Sequence, residues 1–314
     1  MLNYLLLTDN AARQAIDSST VFEEFCRTKS ESLKYAGGMY WKIQGPYEYL
    51  VKTTAGNRQK RIEPRSSETE QTYAAFTSKK AEIEACLSDL HAAVVDAERL
   101  NRALRVGRIP AIVVDVLRAI EKAGRSSYFT VVGTHALYAY EAAAGVRIAQ
   151  GALATQDVDM LWDAQKHVRF LTDIERLDVS MLRILQSVDK TFQRKDGHLE
   201  TAINSKGFEV DFLRRPPQDS DPHPVRLSGY EEHLWPVQAR RAEVLSSARK
   251  FEQVVVAATG KMARMTTIDP EVFIEFKSWM ANLAPDRDPR KRQRDKLQAD
   301  IVWTLMDQGL LLSQ

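Results

Sequence analysis

Residues 154–162 read ATQDVDMLW, and the fold turns on how that stretch is read. Its DVDMLW part, 157–162, reads as a short strand. Side chains on a strand alternate between faces, so residues two apart point the same way. Asp157 and Asp159 then share one face, while Val158 and Met160 take the other and pack on a core. Two carboxylates held that close repel each other, and keeping both ionised costs free energy unless a cation sits between them. Magnesium suits the position, because it prefers hard oxygen ligands and binds through one or two carboxylates plus substrate phosphates.

Downstream, FEVDFL at 208–213 repeats the pattern: Glu209 and Asp211 share a face, and Val210 and Phe212 take the other. If this strand lies beside the first, one of its acids joins the Asp pair. Three carboxylates on neighbouring strands suit a two-metal site, in which paired ions stabilise the attacking and leaving oxygens of an in-line phosphoryl transfer. Upstream, VVGTHAL at 131–137 reads as a strand ending in Gly133-Thr134, followed by a helix. Glycine lets a phosphate approach the backbone closely. The Thr134 hydroxyl and the amides of a helix N-terminus can hold it. The chain thus offers a phosphate turn, an acid pair and a third acid, in that order.

The rest of the middle region fits a sheet domain. AIVVDVLRAIEKAG is an amphipathic helix ending at Gly124, and THALYAYEAAAG is a helix ending at Gly145. VRFLTDIERL and SMLRILQSV are helical by pattern, and Pro216-Pro217 stops the third strand. Strands alternating with helices predict an α/β or α+β sheet domain over about 107–225. Region 1–106 opens with Phe22, Phe25 and Cys26 at helical spacing, stopped at Gly37-Gly38. A hairpin around Gly45-Pro46 follows, continued by GNRQKRIEPR. Ser67 and Glu70 have capping-box spacing for a long helix to about Leu104. Region 226–314 holds a hairpin around Thr259-Gly260, then a helix opened by Asp269-Pro270-Glu271. A charged loop from Pro285 leads into a final helix.

Composition excludes other classes. With 44 Lys+Arg against 42 Asp+Glu the formal charge is +2, so a nucleic-acid partner must be held by a local patch. The 314 residues suggest about two domains on a prior of ~150 residues each. No stretch approaches the ~18–20 apolar residues of a membrane span, and the start does not read as a signal peptide. The two cysteines stand far apart in sequence, against a disulfide framework or zinc ribbon. A cytoplasmic protein with no membrane partner is expected.

The ordered set Val132-Gly133-Thr134, Asp157-x-Asp159, Asp211 resembles the nucleotidyltransferase superfamily, which shares its fold with DNA polymerase beta. The resemblance implies an α+β fold, with a short mixed sheet flanked by helices. It implies that Asp157, Asp159 and Asp211 hold two magnesium ions, and that Gly133 and Thr134 hold a nucleoside triphosphate, ATP among them. The tail, PEVFIEFKSWMA followed by RDPRKRQRDKLQA, is similar to the helical segment of bacterial nucleotidyltransferase-fold proteins related to AbiE-type toxins. That similarity places Lys277 and the Arg294-Asp295 pair toward the nucleotide. A surface lysine with a buried stem is the plain alternative for Lys277. Thr134 stands where the family has a second Gly or Ser. The spacing from Gly133 to Asp157 exceeds the usual one, so GVRIAQGALATQ is read as an inserted loop that shapes the acceptor site.

Three other signals carry less. VVVAATGKMA lacks the first Gly of a phosphate-binding P-loop and has no Ser or Thr after Lys261, so a hairpin turn is expected. His135 sits beside the phosphate turn, where a nucleotide contact is one reading and a surface or capping role the favoured one. The basic runs Arg58–Arg65 and Arg287–Lys296 are either solvated faces or patches for RNA or nucleotide phosphates.

The expected activity is magnesium-dependent transfer of a nucleoside monophosphate to an acceptor hydroxyl. RNA, tRNA first, is the favoured acceptor. The AbiE-like tail adds a toxin with an antitoxin partner. The alternatives are modification of a protein or of a small molecule such as an aminoglycoside, and a non-catalytic nucleotide-binding scaffold.

Overall fold

The computed structural model describes residues 3–54, 56, 58–153, 155–162, 180–216 and 234–313. The helix expected at VRFLTDIERL lies outside the described residues. In chain order come β1 (Tyr4–Leu6), α1 (Asp9–Ser32), β2 (Met39–Gln44), β3 (Tyr47–Thr53), β4 (Gln59–Pro64), α2 (Ser67–Ala103) and α3 (Ala111–Lys122). The core follows with β5 (Phe129–Val132), α4 (Ala136–Ala144), β6 (Val146–Ile148), α5 (Gln150–Leu153), β7 (Asp157–Trp162), α6 (Met181–Val188), β8 (Gln193–Arg194), β9 (Thr201–Ile203) and β10 (Glu209–Arg214). The last stretch holds β11 (Val237–Gln238), α7 (Ala242–Ser247), β12 (Lys250–Val256), β13 (Met262–Ile268), α8 (Pro270–Asn282) and α9 (Pro289–Asp307). No described helix is long and apolar enough to cross a membrane.

The chain divides into two compact units, Met1–Arg13 with Asn101–Gln314, and Gln14–Leu100. The larger unit is α+β. Its main sheet runs β5-β7-β10-β9-β8, with β11 also paired to β10. β7 and β10 are parallel, and β5 is antiparallel to β7. The sheet is mixed, as the sequence pattern and the family resemblance imply.

All four residues of β5 are buried, as expected of a short continuous apolar run. β5 ends the sheet path, and β13 covers it: the Thr267 hydroxyl donates to the Val131 carbonyl at 2.7 Å. A side-chain donor thereby satisfies a backbone acceptor that an open edge would leave bare. The core beneath the sheet centres on Trp162, Met160 and Phe212, all fully buried. Phe129 and Phe212 meet edge to face with centroids 5.5 Å apart, a favourable aromatic geometry. Tyr140 does the same with Phe251 and Phe273, and its hydroxyl reaches the Ile268 carbonyl at 2.7 Å.

In the smaller unit, α2 packs along one face of the β2-β3-β4 sheet. Trp41 meets Tyr73, Lys52 lies over Phe76, and Leu50 is fully buried. α1 lies against the far half of α2, where Phe25 meets His91 and the Gln14 amide donates to the Ala97 carbonyl.

Three local expectations need correction. The cap of α2 sits one residue early: the Thr69 amide donates to Ser66 Oγ and the Ser66 amide to Thr69 Oγ1. Glu70 is instead ion-paired to Arg65 at 2.7 Å. The reciprocal Ser-Thr pair offers the donors and acceptors of a capping box with a shorter arm. Residues 146–153 are more than a loop, because β6 pairs antiparallel with β1 and α5 follows. The Glu141 carboxylate, bridged to Arg108, accepts the Ile148 amide at 2.8 Å and fixes this excursion to α4. Finally, the charged run is helical from Pro289 onward, capped by Asp288, whose carboxylate accepts the Arg290 and Lys291 amides.

Candidate active site

The site is built from strand register. Across the parallel β7–β10 pair, Asp211 lies opposite Asp159 and Glu209 opposite Asp157. Across the antiparallel β5–β7 pair, Val132 lies opposite Asp159. The Gly133-Thr134 turn therefore leaves β5 beside the acid pair. Asp157, Asp159 and Asp211 each offer a carboxylate oxygen, and these oxygens lie within 4.8 Å of one another. Their alternate neighbours Val158, Met160, Val210 and Phe212 are fully buried, so the apolar pattern that anchors both strands also aims the acids. Of the two β10 acids it is Asp211 that joins; Glu209 is ion-paired to Lys195 at 2.6 Å.

The acids differ in surroundings. Burial, then the neighbouring Asp157 and Asp211 charges, push the Asp159 carboxyl up to about 7, against the pull of Lys277 and Arg287. Burial also raises Asp211, which a 2.5 Å hydrogen bond from the Thr201 hydroxyl partly offsets. The Thr155 hydroxyl donates to Asp157. A buried carboxylate whose proton is retained by like charges is one that a cation would ionise. Three converging hard oxygens fit a divalent ion such as magnesium.

The turn has its own geometry. Gly133 sits at φ +70°, and a Cβ there would lie 2.2 Å from Asp159 Oδ2. Its missing side chain thus makes room for the acid. No side chain caps the short helical turn Gly133–His135. Thr134 is buried, and its Oγ1 accepts from the Gln298 amide at 3.2 Å; the same nitrogen donates to the Ala152 carbonyl at 2.6 Å. Its hydroxyl proton is left to give. His135 is 1% exposed, which overturns a surface role; it stands at the N-cap position of α4 without a side-chain capping bond. Burial pushes its imidazole down to about 4, with Asp157 pulling the other way.

Lys277 is also buried, not a surface lysine. Its Nζ donates to Asp295 Oδ1 at 2.9 Å, and Arg287 reaches Asp295 Oδ2 at 2.7 Å. Burial lowers the Lys277 ammonium, while Asp295 and Asp159 hold it up. Arg287 entered the sequence reading only as the first residue of a basic run, and its pairing with Asp295 beside Lys277 was missed. It comes from the turn before α9, eight residues ahead of Asp295, at a spacing that no helical pattern flags. Arg294 is not part of this cluster. It lines a groove of about 550 Å³ with Gly151, Arg290, Lys291 and Lys296, one helical turn before Gln298 and so on the same side of α9.

The α+β core, with three acids on adjacent strands beside a glycine turn, defines a candidate metal centre for phosphate chemistry. A family model described as nucleotidyltransferase matches residues 111–313, a span that includes the turn, the acids, Lys277 and Arg294. The chain belongs to the nucleotidyltransferase family. Membership supports transfer of a nucleotidyl group, with a nucleoside triphosphate as donor. No curated protein and no solved structure gives a significant match.

Proposed function

We propose that this chain moves a nucleoside monophosphate from a nucleoside triphosphate to a hydroxyl of RNA, tRNA first, with magnesium at its acid triad. The observation that carries the reading is the convergence of Asp157, Asp159 and Asp211 within 4.8 Å beside the Gly133-Thr134 turn. Asp157 and Asp159 would hold two ions, and Asp211 one of them. Bound there, the ions neutralise triphosphate charge and polarise the reacting phosphate.

The chain's own residues do the rest. The amides of Gly133 and Thr134, with the Thr134 hydroxyl, hold triphosphate oxygens. Lys277 supplies a compact positive charge within the buried cluster, and Arg294 meets the outer phosphates. The acceptor oxygen bonds to the α-phosphorus as the bridge to the β-phosphate breaks, and pyrophosphate leaves. The acceptor's proton passes to the Asp211 carboxylate, which the Thr201 hydroxyl holds in place. Most of the rate comes from positioning and charge neutralisation. The basic run 290–296 supports a polyanionic acceptor. A toxin role with an antitoxin partner draws on the AbiE-like tail.

The test uses each α-labelled nucleoside triphosphate with magnesium, offered with total RNA or with a cell protein extract. The Asp157→Ala, Asp159→Ala double variant runs alongside. Label in RNA that the variant loses is the expected result. Label in protein moves the acceptor class, and no variant-sensitive label at all overturns RNA and protein transfer together.

A further inference from the structure

The β2-β3-β4 sheet has two chemically different faces. On the α2 side, Arg65 lies 5.0 Å over Trp41 and is ion-paired to Glu48 at 2.6 Å and to Glu70 at 2.7 Å. That part of the basic and aromatic cluster is satisfied internally. The cross-strand pairs Tyr40↔Val51↔Arg61, Lys42↔Tyr49 and Gln44↔Tyr47 define the opposite face, since directly paired residues share a side. There Tyr47 is 60% exposed, and Lys42, Gln44 and Arg61 are exposed with it. Tyr47 and Tyr49 meet edge to face with centroids 6.4 Å apart. The Arg61 guanidinium lies 4.4 Å over the Tyr49 ring and donates to Gln44 at 3.3 Å.

We propose that this face binds a single-stranded polynucleotide. Unstacked bases lie flat on aromatic rings and on arginine planes, and the contact tolerates any sequence because every base has a π-face. Tyr47 offers such a ring to solvent, and Arg61 extends the Tyr49 plane outward. The charge is complementary. Lys42 and Arg61 stand exposed on this face, while Glu48 lies on the α2 side and is ion-paired to Arg65. A partner helix would need aliphatic surface, yet Val51 at the centre of this face is only 3% exposed. A duplex keeps its bases stacked inside and offers none to the rings. The site lies in the smaller unit, outside the family match, and stands whether or not the transferase reading holds.

The test is fluorescence anisotropy on the full chain without nucleoside triphosphate. The probes are labelled oligouridylate, oligothymidylate and an RNA duplex of equal charge, each titrated at several salt concentrations. Both single strands should bind more tightly than the duplex, and a preference for oligouridylate would name RNA as the natural strand. Tyr47→Ala with Tyr49→Ala should weaken single-strand binding about tenfold or more with the salt slope unchanged. Lys42→Gln should instead flatten that slope by about 0.7. Tyr47→Ala alone, at an exposed position, should weaken binding with the melting temperature kept, which separates lost stacking from lost folding. No single-strand binding, equal binding of the duplex, or affinity unaltered by the tyrosine changes overturns the proposal.

Discussion

Gly133 and Asp159 interlock: the carboxylate oxygen Oδ2 of Asp159 occupies the volume that a Cβ at residue 133 would need, 2.2 Å away. The φ of +70° at Gly133 adds a backbone conformation that L side chains rarely adopt. Gly133→Ala should therefore cost about 1–3 kcal/mol of stability. Its larger effect should be on chemistry, because displacing Asp159 by even ~1 Å costs on the order of a hundredfold. Urea denaturation and kcat/KM on the same preparation check both numbers. A stable, fully active variant would remove Gly133 from the site.

The second prediction follows from Asp159 at about 7 in the metal-free protein. Its unfolded value is near ~3.9. The folded state holds the proton more tightly, so this group's stabilising contribution is fully present below about pH 4 and is lost as pH rises through about 7. The loss is at most about 4 kcal/mol. Asp211 is raised in the same direction. Metal binding needs the ionised acids, so the stabilisation given by magnesium should grow over the same window. Melting curves across that range, with and without magnesium, for the native chain and Asp159→Asn, measure the difference. Asp159→Asn should abolish most of the slope.

Asp295 is the shared anion of two cations, Lys277 and Arg287. Asp295→Ala leaves both uncompensated, one of them deeply buried, and should cost about 3–5 kcal/mol. Lys277→Met should cost less, because Asp295 keeps Arg287. Chemical denaturation of the two variants checks the order. Equal losses would mean that the pair acts as an isolated ion pair.

Arg294 lines the groove between α5 and α9, apart from the Lys277 cluster. If it meets outer phosphates, Arg294→Gln should raise KM for the nucleoside triphosphate about tenfold, with kcat little changed, the pattern of uniform binding lost. A fall in kcat alone would place Arg294 at the reacting phosphate instead.

Much of this architecture is legible in short period-two patterns. DVDM at 157–160 and EVDF at 209–212 alternate acid and apolar residue, and each turns its acids away from fully buried neighbours. Alternation alone left open which acid of β10 completes the triad, and the family resemblance named Asp211; in the structure the choice is set by the β7–β10 register and by Lys195 claiming Glu209. The β1–β6 pair joins two three-residue strands, Tyr4–Leu6 and Val146–Ile148, too short and too far apart in sequence for any local signal. A surface place for His135, and the surface alternative for Lys277, stood open because burial at these positions comes from distant elements. For Lys277 that element is Asp295 on the next helix, and the carboxylate makes a buried ammonium tolerable.

The parallel β7–β10 ladder also has a meaning in time. Asp159 and Asp211 are more than fifty residues apart in sequence and meet only through this pairing. Non-local parallel pairings close slowly and late, since the loop entropy must be met before the contacts reward it. A chain still emerging from the ribosome, or one locally unfolded at β10, carries every acid and yet has no centre. Reactivity toward nucleotides then arrives only with the finished sheet, so that half-made copies stay chemically silent.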